Sequence, residues 1–64
     1  VNKWISTKDE VPSNNMNVLV TTVEGYLEIA FYEPEEGWHL TFNGYLFRRS
    51  PVAWQLLPKA YEVQ

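Results

Sequence analysis

Trp38-His39-Leu40-Thr41-Phe42-Asn43-Gly44-Tyr45-Leu46-Phe47 is the stretch whose reading decides the fold. An Asn-Gly pair between two alternating apolar runs is the strongest short-range hairpin signal a sequence carries. A type I′ turn needs positive φ at both central residues, which Asn and then Gly tolerate best. Such a turn sets Phe42 opposite Tyr45, Thr41 opposite Leu46, Leu40 opposite Phe47 and His39 opposite Arg48. Side chains alternate along a strand, so Trp38, Leu40, Phe42, Tyr45 and Phe47 then share one face. That aromatic face is expected to look into the core. The other side carries His39, Thr41, Leu46 and Arg48.

Moving upstream, Glu33-Pro34-Glu35-Glu36-Gly37 reads as a turn, punctuated by proline and glycine and solvated by its carboxylates. Residues 26–32 alternate, with Leu27, Ile29 and Phe31 on one face and Tyr26, Glu28, Ala30 and Tyr32 on the other. Glu28 marks the second face as the wetter one. Val23-Glu24-Gly25 is a connection of hairpin length. Residues 16–23 form the preceding strand, where the unbroken run Val18-Leu19-Val20 predicts a central strand covered on both faces. Ser13-Asn14-Asn15 is turn chemistry. Ser6 or Thr7 ahead of Lys8-Asp9-Glu10 can cap one helical turn, which Pro12 stops. Trp4-Ile5-Ser6-Thr7 is an edge strand or an extended arm.

Downstream, Arg48-Arg49-Ser50-Pro51 breaks the run, because proline has no N–H for a ladder. Residues 52–57 read as the last strand, ended by Pro58, and 59–64 as a tail expected to fray. The expectation is one domain, 1–64, that is all-β or β with one short helical turn. It is a small antiparallel meander of four to five strands curled into an SH3-like half-barrel, with 52–57 closing the sheet. A variant is a flat sheet completed by a second copy.

A chain of 64 residues is marginal as a folding unit, since a domain of this size buries only about 60% of its unfolded surface. It has no cysteine, so no disulfide or thiolate–metal staple is available. Three Trp, three Phe and four Tyr compensate, and Trp4, Trp38 and Trp54 read as core rather than as a ligand cage. The net charge of −3 and pI near 4.9 disfavour non-specific binding to nucleic acid or to an anionic membrane. No apolar run reaches the length of a membrane span, and the start shows no secretory leader pattern. With no cysteine used, the cytosol is the expected setting.

The chemistry-bearing residues are few. His39 is the one histidine. As a general base it would sit beside a cation with no nucleophile in view, so a surface strand residue is the plainer reading. Glu24, Glu28, Glu33, Glu35 and Glu36 lack the D-x-D-x-D-G pattern of a calcium loop and read as a solvated acidic turn or an acidic face for a basic partner. Arg48 and Arg49 with Tyr45, Phe47 and Lys59 offer an aromatic–basic patch for single strands, but the plainer reading is a charged strand end that blunts an edge. No hydroxyl lies in a G-x-S-x-G context, and no glycine-rich phosphate loop exists. No metal site and no cofactor are assigned.

Several short motifs carry a resemblance. Trp4-Ile5-Ser6, Lys8-Asp9 and Val11-Pro12 resemble a W-I-S-x-K-D-x-L-P opening. Val18-Leu19-Val20 resembles its V-L-V strand, Ala30, Tyr32 and Gly37-Trp38 its middle, and Trp54, Leu57 and Pro58 its closing H-W-x-P-L-P. Together they are similar to a family of small phage and prophage proteins of unknown function. The family's closing His falls on Ala53 here, and its first closing Pro on Leu56. The resemblance implies a phage or mobile-element origin and a host-cytosol setting, and it supplies no activity. The reading that follows is a non-enzymatic protein-binding module of phage type that meets a host or phage protein and modulates a host system. It would act by sheet-edge pairing or through an acidic, tyrosine-bearing face, with Tyr26, Glu28, Tyr32, His39, Arg48 and Arg49 as the candidate contacts. Two alternatives are a binder of nucleotide-like ligands, held between rings or across a homo-oligomer interface, and a single-strand nucleic-acid binder.

Overall fold

The computed structural model describes residues 3–58. They form five antiparallel strands: β1 (Ile5–Ser6), β2 (Val18–Thr21), β3 (Leu27–Glu33), β4 (Gly37–Leu40) and β5 (Ala53–Leu56). The spatial order is β1-β5-β2-β3-β4 in one open sheet, with no helix among the described residues. The expected all-β class is therefore what the chain adopts. The strands β2, β3 and β4 follow each other as a meander. β5 then returns to the free side of β2, pairing Leu19 with Gln55 and Val20 with Trp54. The expected tail and Lys59 lie outside the described residues.

Local chemistry fixes the connections. Thr22 closes the first hairpin twice: its N–H donates to Tyr26 C=O at 2.9 Å, and its Oγ1 accepts the Tyr26 N–H at 3.0 Å. Gly25 takes φ 93° there, a conformation that costs a residue with a Cβ roughly 1–2 kcal/mol. At the second hairpin, Glu36 N–H donates to Glu33 C=O at 3.1 Å around Pro34. The expected helical turn near the start is a single hydrogen-bonded turn: Asp9 and Glu10 N–H both donate to Ser6 C=O, and Lys8 N–H to Ser6 Oγ. Thr7 then pins this arm to the last strand's approach, with Oγ1 donating to Pro51 C=O at 2.7 Å. Trp54 Nε1 donates to Glu10 C=O at 3.0 Å.

The deciding hairpin exists, but its turn is not the expected one. Gly44 has φ 75°, whereas Asn43 has no positive φ, so the type I′ geometry is absent. Leu40 and Tyr45 close the loop instead, through Leu40 N–H to Tyr45 C=O and Gly44 N–H to Leu40 C=O, both at 2.8 Å. His39 consequently bridges to Leu46 rather than to Arg48. The physical reason is side-chain competition: Asn43 Oδ1 accepts the Tyr45 N–H at 3.0 Å, satisfying the backbone locally without a left-handed Asn. Thr41 leaves the hairpin to bond Ile29 C=O and Asn17 Oδ1. Phe42 thus falls in the loop and is 93% exposed, not in the core.

The core lies on one face of the sheet: Val18, Val20, Ala30, Trp38 and Trp54, with Ile5, Met16, Tyr32 and Phe47 packed around it. This corrects the expectation for β3. Its Ala30/Tyr32 face turns inward, while Leu27 and Ile29 are 62% and 44% exposed. The tryptophans of β4 and β5 supply the volume, so the inward position on β3 takes an alanine. Leu19 is only half-buried, so β2 is central but covered on one face. Trp4, Tyr26 and Tyr45 are exposed as well, so rings are spent on the core less fully than expected.

Candidate functional site

Strand registers define a second, outer face. Across the sheet it reads Gln55, Leu19, Ile29 in one row and Ala53, Thr21, Leu27 in the next. A third row holds Phe31, His39 and Leu46. The core cluster contains none of these residues, and Leu27, Ile29 and Leu46 are exposed. An uncovered apolar patch on a small domain marks a contact surface more often than a single exposed leucine does.

His39 sits on this face as a fixed group rather than a free surface residue. Its ring stacks on Phe31 with centroids 5.1 Å apart and planes 9° apart. Nδ1 lies 3.2 Å from the Gly44 carbonyl, and a carbonyl only accepts, so Nδ1 carries the proton. Nε2 faces two carboxylates, Glu36 Oε1 at 3.3 Å and Glu33 Oε1 at 3.8 Å. The ligand atoms of Glu33, Glu36 and His39 all lie within 4.8 Å of one another, so among the described residues this group could hold a metal ion. Sequence reading missed the group because it weighed Glu33 and Glu36 only against a calcium loop and took His39 apart from them. The signal present was the E-x-x-E-x-x-H spacing across a turn, which a strand-by-strand reading divides between two elements.

The remaining candidate contacts do not form one surface. Tyr26 and Glu28 are exposed near the β2–β3 turn. Tyr32 points to the opposite face from His39, half-buried against Trp38 with ring centroids 5.3 Å apart. Arg48 and Arg49 are exposed and border a separate cleft with Val23, Glu24 and Phe47. On the core side, a cleft of about 680 Å³ runs between the N-terminal arm and the sheet, lined by Lys8, Tyr32, Trp38 and Pro51 among others. No helix of the described residues is long and apolar enough to cross a membrane. Comparison of the chain with protein-family models, with curated proteins and with solved structures gives no match.

Proposed function

We propose that the chain is a non-enzymatic protein-binding module of phage or prophage type, working in the host cytosol, and that its outer sheet face is the contact surface. One observation carries this reading. Leu27, Ile29 and Leu46 stand exposed on a sheet whose other face holds the core of the described residues. Burying such side chains fully is worth about 1.5–3 kcal/mol each relative to exposure, and these retain much of that gain for a partner. Sheet-edge pairing is the weaker mode. β1 has only two residues, and the β4 edge already receives Phe47 N–H at Trp38 C=O. The motif resemblance supports the phage origin, and with it a host or phage protein as the partner.

The test is affinity capture from host lysate with wild type and with Ile29→Lys in parallel. The expected result is a defined protein retained by wild type and by a core-side Lys8→Ser control but lost with Ile29→Lys. Capture that is indifferent to Ile29→Lys, or no specific capture at all, removes the reading. A second reading rests on the core-side cleft. Its volume falls within the roughly 300–1,000 Å³ usual for small-ligand sites, and Tyr32, Trp38 and Lys8 offer rings and a cation. A thermal-shift screen with nucleotides separates the two, because a ligand bound only to the folded state raises the melting temperature.

A further inference from the structure

We propose that Glu33, Glu36 and His39 form a binding site for one divalent cation of the zinc class, with His39 Nε2 and one carboxylate oxygen from each glutamate as ligands. The site does not depend on the protein-binding reading. Its first support is an orphaned atom. His39 Nε2 exposes less than 1 Å² and has no hydrogen-bond partner, on a side chain only 11% exposed. Because Nδ1 donates to Gly44 C=O, Nε2 is the nitrogen left to bind. A metal-bound histidine commonly holds its other N–H on a carbonyl in this way, which fixes the tautomer and the ring's aim.

The second support is what faces that atom. A neutral Nε2 presents a lone pair to two carboxylate oxygens at 3.3 and 3.8 Å, an arrangement of acceptors against acceptors. Protonated, that nitrogen would pair with the two carboxylates; unprotonated, it would share a cation with them, and the spacing fits the cation. With metal–ligand bonds of about 2.0–2.1 Å, the edge of a tetrahedral site is about 3.3–3.4 Å, so Glu36 and His39 are already spaced for it. Glu33 Oε1 is a few tenths of an ångström further out, on a side chain 38% exposed and able to rotate.

The surroundings are organised around this point. Phe31 stacks on the ring, and the Glu36 N–H to Glu33 C=O bond closes the turn that carries both glutamates. One imidazole and two carboxylates suit zinc, cobalt or manganese, whereas calcium wants six or more oxygens and magnesium keeps most of its water. Three protein ligands leave a fourth position for water or for a partner's side chain.

The experiment titrates tag-free protein with Zn²⁺ and Co²⁺, followed by calorimetry, by cobalt d–d absorption and by ¹⁵N shifts of the His39 ring. The expected result is a single site with a tetrahedral cobalt spectrum and a shifted His39 Nε2 resonance. Glu36→Gln and His39→Ala should each weaken binding at least about tenfold. Glu35→Gln removes the same charge from the same turn and should change affinity by about twofold or less. If His39→Ala fails to fold, Glu36→Gln carries the test, because that side chain is 63% exposed. Four results would each overturn the assignment: no binding at millimolar metal, an unshifted His39 ring, equal losses in Glu35→Gln and Glu36→Gln, or Ca²⁺ and Mg²⁺ binding as tightly as Zn²⁺.

Discussion

Phe42 and Trp38 lie on the same run of alternating residues, yet one is 93% exposed and the other 3%. Substitution should separate them cleanly. Phe42→Ala is expected to change unfolding free energy by no more than about 0.5 kcal/mol, the usual range for a surface position. Val20→Ala, at a site with no exposure, should cost about 2 kcal/mol through lost transfer energy and the cavity left behind. Urea unfolding followed by tryptophan fluorescence measures both, and a loss of several kcal/mol in Phe42→Ala would return that ring to the core. The contrast also shows what was legible at this scale. Val18, Val20, Trp38 and Trp54 announce themselves as core by size and position. The choice of inner face on β3 was not legible. Leu27, Ile29 and Phe31 outweigh Ala30 by any hydropathy count, and Ala30 is inside because Val18 and Leu40 flank it and two tryptophans on other strands share its cluster. Neighbouring strands decide that, and periodicity within one strand does not contain it.

Among elements, the turns were readable as turns, but not always as types. Gly25 behaves as its sequence context implies. An added Cβ would meet nothing within 4 Å, so Gly25→Ala tests backbone conformation alone and should cost about 1–2 kcal/mol, with Gly25→Asn recovering part of it. Equal stability of Gly25→Ala and wild type would mean that the turn relaxes without the left-handed residue. Asn43 is the informative failure. In a type I′ turn, Asn43→Gly is a neutral exchange. In the observed loop it removes the acceptor for Tyr45 N–H and should cost about 1 kcal/mol, seen as a lower urea midpoint with an unchanged slope. The Asn-Gly pair signalled a reversal between Trp38 and Phe47, and that reversal is present. What the pair does not encode is the pull of Ile29 and Asn17 on Thr41, which lengthens the loop and moves His39 from Arg48 to Leu46. In that loop the Gly44 carbonyl reaches His39 Nδ1, whereas Glu33 and Glu36 reach Nε2 through the separate β3–β4 turn.

The described residues form one sheet with a core on one side and exposed apolar residues on the other. Domains of this length rarely hold more than about 3–5 kcal/mol in a single core, and here that core is one-sided. The outer face of the described residues must therefore be tolerable in water or be covered, and a second copy and a different protein are two covers that solution measurements distinguish. Two-fold self-pairing sets a patch against itself and so doubles every charge at its rim. The rim here includes Glu33 and Glu36, and the chain carries −3 overall, so self-pairing works against like-charge repulsion. A partner of another sequence has no such penalty. The expected outcome is a melting temperature of wild type that stays constant from micromolar to millimolar protein, with Leu27→Lys and Ile29→Lys unfolding within about 0.5 kcal/mol of it. A midpoint that climbs with concentration, and stops climbing in Ile29→Lys, would reassign the face to a second copy. Because Glu33 and Glu36 are also the proposed metal ligands, the same scan with added Zn²⁺ is decisive in a second way. If bound metal cancels the rim charge and self-association then begins, the face and the cation site act as one device rather than two.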